Sequence, residues 1–152
     1  MQWVKRTIIC LLPLIALAAW IGFVTPAEGQ GSRGYRVIAN KDLSLTEMSK
    51  AELSRIFLKK LTRFNGVNLE PADQDPGATV RETFSRDVHN RPVNAIKSYW
   101  QRQIFSGRGT PPPELSNDSA VVSHVNSTSG GIGYVSEGVN PGSSAVVVQV
   151  LE

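Results

Sequence analysis

The sequence has almost no cysteine or histidine. Its one cysteine among 152 residues, Cys10, lies in an apolar segment near the amino terminus. The rest of the chain therefore has no thiol for a disulfide or a cysteine-based metal site. His89 and His124, the two histidines, lack an acidic residue or cysteine at the spacing of metal ligands, so surface positions are the default interpretation. We expect no metal and no cofactor.

The sequence also lacks the motifs of common enzymes and of nucleic-acid-binding proteins. It has no Gly-x-Ser-x-Gly nucleophile elbow, and its glycine pairs lack the spacing and the lysine of a nucleotide-binding loop. The formal net charge is +3, but without Lys5 and Arg6 only 14 basic residues remain against 13 acidic ones. This balance is too even for a nucleic-acid-binding footprint. We predict a protein that is not an enzyme and does not bind nucleic acid.

Residues 1–27 have the pattern of an export signal. Lys5 and Arg6 precede a long apolar run, and the segment ends in a small residue where cleavage would release a periplasmic protein. An uncleaved membrane anchor is the alternative, because the apolar run approaches the length of a membrane span. Residues 28–34 are polar and rich in glycine and serine, which predicts a flexible spacer. The folded domain is expected to comprise residues 35–152.

The first part of this domain is predicted to contain a strand, a helix and a hairpin. Residues 35–39 alternate in polarity and include β-branched side chains, which favours a strand. Ser49 and Glu52 have the spacing of a capping box at the start of a helix. An Asn-Gly pair marks the turn of a hairpin within residues 62–69. The buried face of the helix is expected to consist of Leu53, Ile56 and Phe57.

The second part is predicted to contain three helices and two strands. Apolar residues recur at helical spacing in the first two helices, and a loop at residues 105–113 follows them. Ser116 is expected to cap the third helix, and strands should form at residues 132–135, with close backbone approach at Gly133, and 145–151. Strands alternating with helices predict an α/β architecture. The apolar helix faces are predicted to consist of Val80, Phe84, Val88, Val93, Ile96, Trp100 and Ile104, and the third helix carries Val121, Val122 and Val125.

The stretch from Leu69 to Phe84 is the candidate binding site. Asp75 is predicted to cap the following helix, with Pro76 at its first position. The first amides of a helix carry partial positive charge, so a small oxyanion could bind there with help from the Thr79 hydroxyl and the Arg81 guanidinium. The predicted ligand-binding residues are Gly77, Ala78, Thr79 and Arg81.

A structural interpretation of the same stretch stays open. The carboxylate of Asp75 can accept the first-turn hydrogen bonds itself, and it would repel a phosphate. Arg81 can equally be a solvated residue on the outer side of the helix. In that case the segment is an ordinary helix start and has no ligand.

Three segments resemble the phosphate ABC transporter substrate-binding proteins, and especially their short single-lobe relatives. They are Leu53–Lys60, the turn that ends in Arg81–Phe84, and the Gly-Ile-Gly-Tyr-Val strand within residues 130–135. The resemblance covers residues 35–151. It implies an α/β fold, one lobe of a type II periplasmic-binding-protein-like fold, with a mixed sheet flanked by helices. Full-length members have Ser-Gly-Thr where this chain has Gly-Ala-Thr, so one hydroxyl contact is missing.

Two hypotheses for function follow. The first is an exported module that binds phosphate or a similar oxyanion and works with an ABC transporter in the membrane. A single lobe leaves the anion in contact with water, so two chains forming a homodimer would be needed to rebuild a closed cleft. The second is a ligand-free interaction module that docks through residues 105–113 onto a membrane or an envelope partner.

Overall fold

The computed structural model describes residues 33–152, so the predicted export signal and most of the predicted spacer lie outside the described residues. Within this range no helix combines the length and the apolarity that crossing a bilayer requires. The elements in chain order are β1 (Tyr35–Asn40), a 3-10 turn (Lys41–Leu43), β2 (Glu47–Ser49), α1 (Lys50–Phe57), β3 (Arg63–Phe64), β4 (Val67–Asn68), β5 (Glu70–Pro71), β6 (Asp73–Gln74), α2 (Thr79–Val88), α3 (Val93–Phe105), β7 (Glu114–Leu115), α4 (Asp118–Ser127), β8 (Gly131–Ser136) and β9 (Ala145–Leu151).

Strand β1 lies at the centre of a five-stranded mixed sheet with the order β2-β9-β1-β8-β5. It pairs antiparallel with β8 on one side and with β9 on the other. The outer strands run parallel to their neighbours, β5 to β8 and β2 to β9. Strands β3 and β4 form a hairpin, and β6 pairs in parallel with β7. The predicted fold class, a mixed sheet flanked by helices, is confirmed.

Alternate residues of the central strand contribute to two hydrophobic clusters. Val37 and Ala39 belong to a cluster with α1 and α2, whereas Ile38 belongs to a second cluster with α4. Because successive side chains of a strand point to opposite faces, helices cover both faces of the sheet. Every buried member of both clusters lies within residues 35–150. A chain of residues 28–152 therefore retains all of the core that the structure describes.

Several predictions from local sequence are confirmed. The amide of Glu52 donates to Ser49 Oγ (3.3 Å) and the amide of Ser49 donates to Glu52 Oε2 (3.2 Å), which forms the capping box of α1. Strand β9 has the predicted limits. A Cβ atom on Gly133 would lie 2.5 Å from Val121 Cγ1, so the glycine lets α4 pack closely against β8. Each of these features depends on the identity of one or two residues, which is why the sequence alone could predict it.

Two predicted details of the second half are wrong. Ile104 is 51% exposed, because burial along α3 ends at Trp100 and the last turn extends beyond the core. Asn117, not Ser116, caps α4, since its Oδ1 accepts a hydrogen bond from the amide of Ala120 (3.0 Å). Serine and asparagine are both good caps. Asn117 is the cap because α4 begins at Asp118.

Candidate functional site

The turn between β6 and α2 is closed by Asp75. Its carboxylate Oδ1 accepts a hydrogen bond from the amide of Gly77 (2.8 Å), and its backbone oxygen accepts one from the amide of Ala78 (2.9 Å). Aspartate commonly closes such turns on its own following residues. The prediction that Asp75 caps the helix is therefore wrong, because α2 starts only at Thr79. The amides of Gly77 and Ala78 already have acceptors within the turn, so they are not free for a ligand in this conformation.

The amino end of α2 has no side-chain cap. Ala78 occupies the cap position in an extended conformation. In the first hydrogen bond of the helix, the amide of Glu82 donates to the carbonyl oxygen of Ala78 (3.2 Å). The amides of the first helical turn, from Thr79 to Arg81, have no acceptor within the helix. Helices α1 and α4 differ, since Ser49 and Asn117 cap them. Thr79 is exposed, whereas Val80 and Arg81 are buried. Thr79 is therefore the residue of this first turn that faces solvent.

Arg81 is buried beneath this turn. Its side chain is only 4% exposed and forms an ion pair with Asp73. Its Nη1 also donates to the hydroxyl oxygen of Tyr134 (3.3 Å). The interpretation of Arg81 as a solvated residue is therefore wrong, and its guanidinium is already paired within the protein. Whether Arg81 also contributes to an oxyanion site stays a prediction.

The burial of Arg81 follows from a helical stripe that the sequence contains. Positions 81, 84, 85 and 88 have the spacing of one helix face, and all four residues are buried. A search for apolar residues alone selects Phe84 and Val88 and passes over Arg81 and Ser85. The signal that could have identified Arg81 was its place on that stripe, eight residues after Asp73, the first residue of β6.

A buried polar network extends from the ion pair to α4. The Tyr134 hydroxyl donates to Asp73 Oδ1 and accepts from the amide of Gln74 (3.2 Å). The side-chain amide of Gln74 donates to Asp118 Oδ1 (2.7 Å) and to the backbone oxygen of Tyr134 (2.9 Å). The network joins the residues before the turn, Asp73 and Gln74, to Arg81 after it. It therefore holds both ends of the turn in place.

The electrostatics of the network follow from its burial. Burial lowers the pKa of Arg81, against the raising effects of Tyr134 and Glu114, and burial raises the pKa of Tyr134 to about 12. Burial also acts to raise the pKa of Asp118, but hydrogen bonds from Gln74 and from Ser136 outweigh it and leave that pKa below its usual value. At neutral pH Tyr134 is therefore a neutral donor to Asp73.

The two histidines have partners inside the protein. His89 Nδ1 lies 2.9 Å from Ser54 Oγ, and His124 Nε2 lies 3.1 Å from the backbone oxygen of Glu70. Burial and the nearby charges of Arg81 and Arg91 lower the pKa of His89 to about 4. His89 is half-buried, with Phe84 packed edge-on against its ring, so it is not a freely solvated surface histidine. From Arg33 onwards, no group of three or more His, Cys, Asp and Glu side chains could hold a metal ion.

Solved structures of phosphate-transport proteins share this fold. A protein from Clostridium perfringens, described as a phosphate ABC transporter substrate-binding protein with bound phosphate, superposes with a TM-score of 0.58 at 16% identity, over 79% of this chain and 47% of its own. An ABC-type phosphate transport receptor from Vibrio cholerae gives 0.57 at 15% identity, over 84% and 53%. PstS from Borrelia burgdorferi gives 0.52 at 14% identity, over 77% and 47%.

The chain has the fold of about one lobe of these proteins. It spans about half the length of the solved structures that it matches. At this level of identity the likeness establishes the fold alone, and the resemblance predicted from the sequence is confirmed to that extent. The names of the first two neighbours describe transport proteins and not enzymes. No protein-family model matches the chain, and no curated protein is similar enough in sequence to count as a relative.

Proposed function

We propose that this chain is an exported module that binds phosphate or a similar oxyanion at the amino end of α2. The observation that carries the proposal is the first turn of α2, which has no side-chain cap and begins at the exposed Thr79. Amides without acceptors in the helix and the helix dipole together favour an anion at such a position. The Clostridium perfringens neighbour, which shares the fold, has phosphate bound.

The four predicted residues have different roles in this proposal. Thr79 donates its hydroxyl and its amide to the oxyanion, and the amides of the next two residues complete the set. Gly77 and Ala78 shape the turn through their hydrogen bonds to Asp75. Arg81 contributes its amide, while its guanidinium stays paired with Asp73 and supports the turn from below.

Binding is expected to be weak and sensitive to salt. The carboxylate of Asp75 is exposed beside the turn and repels an anion, and one lobe does not exclude water. Dissociation constants in the high-micromolar to millimolar range, about 4–6 kcal/mol, are expected. Two chains facing each other would rebuild a closed cleft and bind more tightly, which a dependence of affinity on protein concentration would reveal.

The test is an NMR titration of residues 28–152 with inorganic phosphate. The amide signals of Thr79, Val80 and Arg81 are expected to shift with one common dissociation constant. Helix α3 provides an internal control, because its cap position is Pro92 and it too has no side-chain cap. Equal shifts at the start of α3 would indicate a general helix-dipole effect and would contradict a specific site.

Ala78→Asp sharpens the test. An aspartate at the cap position accepts hydrogen bonds from the first turn and stabilises a helix by about 1 kcal/mol. It also places a negative charge where the oxyanion would bind. We expect this variant to unfold at a higher temperature and to lose phosphate binding. Binding that survives Ala78→Asp would exclude the amino end of α2 as the site.

The second candidate function is the ligand-free interaction module. It is favoured by Phe105, which is 90% exposed at the end of α3. The absence of any phosphate-dependent shift at low salt would favour this function over the first.

A further inference from the structure

A basic crevice lies between the carboxyl ends of α1 and α3. Its volume is about 410 Å³, and no aspartate or glutamate from Arg33 onwards lines it. None of the ion pairs formed within residues 33–152 involves its cations. The residues that give the crevice its chemistry are Leu58, Lys59, Lys60, Tyr99, Trp100 and Arg108.

Helices α1 and α3 end with the same hydrogen-bond pattern, and each ending carries cations of the crevice. The amides of Lys59 and Lys60 donate to Ile56 O (2.9 Å) and Arg55 O (2.7 Å), which is the Schellman pattern at the end of α1. At the end of α3, Gly107 and Arg108 make the equivalent bonds to the oxygens of residues 104 and 103 (3.0 and 2.9 Å). The backbone that carries these cations is therefore held in a defined conformation.

Lys59 occupies a backbone conformation that lysine rarely adopts. Its φ of +51° lies in the left-handed region, where the equivalent residue at the end of α3 is Gly107 (φ +67°). A side chain with a Cβ atom is disfavoured there. Its ammonium group donates to the backbone oxygen of Pro111 (3.4 Å). The left-handed conformation of Lys59 fixes the direction in which its side chain leaves the backbone at the edge of the crevice.

Both segments of the chain that form the crevice are rich in basic residues. Residues 53–69 contain four basic residues and no acidic one, and residues 88–113 repeat this pattern over a longer stretch. These two segments therefore hold half of the 16 lysines and arginines of the chain. They meet at the crevice, where the Tyr99 hydroxyl approaches the backbone oxygen of Leu58 (3.5 Å).

Helix dipoles do not account for this charge. Each helix carboxyl end carries roughly half a negative charge, so the ends of α1 and α3 together supply roughly one. Three full positive charges line the crevice. An excess of about two positive charges remains, and an anionic partner would neutralise it.

An apolar tip adjoins the crevice. Ile104 and Phe105 form the last residues of α3 and are 51% and 90% exposed. They lie between Gln103 and Arg108, both of which line the crevice. Exposed aromatic and aliphatic side chains next to cations are the combination found where proteins rest on a membrane surface.

We propose that this surface docks the domain onto an anionic lipid membrane. The crevice cations receive the phosphate of a lipid headgroup, and Phe105 and Ile104 enter the interface beside it. The proposal does not depend on oxyanion binding at α2, which uses a different part of the chain.

The test measures binding of residues 28–152 to lipid vesicles. Trp100 is the only tryptophan in this range, so its fluorescence reports directly on the crevice. We expect a change of emission with vesicles of equal parts phosphatidylglycerol and phosphatidylcholine, and little change with phosphatidylcholine alone. Raising the salt concentration should reverse the binding.

Two variants separate membrane binding from stability. Lys59→Gly removes a charge and relieves the left-handed conformation, so binding should fall about fivefold while the melting temperature stays equal or rises. Ser44→Gly is the control, because Ser44 has a similar φ of +49° away from the crevice. Phe105→Ser should weaken binding about tenfold without loss of stability.

Other results would overturn the proposal. Lack of binding to the anionic vesicles at low salt would do so, as would equal affinities of Lys59→Gly and of Lys41→Gln, a charge control in the 3-10 turn. Binding of polyglutamate without binding of vesicles would assign the surface to an acidic polypeptide instead. Competition by millimolar inorganic phosphate would assign the crevice to a free anion. Thr79→Val should leave vesicle binding unchanged, which keeps this test distinct from that of α2.

Discussion

Replacing Arg81 with methionine is expected to destabilise the domain severely. The two side chains of the Asp73–Arg81 pair are 5% and 4% exposed, so removing the guanidinium leaves a buried carboxylate without its counter-charge. Breaking a buried ion pair in this way costs about 3–5 kcal/mol. Domains of this size have a total stability of about 5–15 kcal/mol. The variant should therefore lose a large share of its free energy of unfolding.

Urea unfolding of residues 28–152 measures this loss. Arg86→Met is the matched control on the same helix, since Arg86 is 65% exposed and pairs with Glu82 one turn away (2.8 Å). An exposed pair of this kind contributes about 0.3–0.5 kcal/mol. The expected difference between the two variants is thus at least 2 kcal/mol, well above the error of the method.

A double variant tests the cause. Asp73→Asn combined with Arg81→Met removes both charges and keeps a side chain that can accept from Tyr134. It should recover a large part of the stability lost in Arg81→Met, because the uncompensated charge is gone. If Arg81→Met unfolds within about 1 kcal/mol of Arg86→Met, the charge is not buried as described and the argument fails.

Three further predictions concern the core, a histidine and the amino terminus. Phe84→Ala should lose about 3–5 kcal/mol in the same urea assay, because Phe84 is buried and stacks on Tyr134 at 3.9 Å; a loss below 1 kcal/mol would contradict its place in the core. The pKa of His89 is about 4 in the fold, below its unfolded value, so stability should fall by about 1–3 kcal/mol between pH 7 and pH 4. His89→Gln should lack this component, and identical pH profiles would refute it. The intact mass of the exported protein should correspond to residues 28–152; a mass that includes residues 1–27 would indicate an anchor.

The sequence by itself determined the features that depend on neighbours along the chain. The capping box at Ser49 and Glu52 and the Asn-Gly hairpin each need only a few consecutive residues, and both formed as predicted. The limits of β9 followed from the run of β-branched residues. The α/β fold class followed from the order of these elements, because each must bury one face against a shared sheet.

The tertiary structure alone decided which polar groups are available for binding. Arg81 lies on the same helix face as Phe84, and only the packing of α2 against the sheet brings it beneath the turn next to Asp73 and Tyr134. The crevice likewise joins residues 58–60 to residues 99–110, about forty residues further along the sequence. Ion pairs and crevices arise from contacts between distant segments, and burial changes what a charge can do. Helical spacing could place Arg81 on one face of α2, but it could not identify the residues against which that face packs.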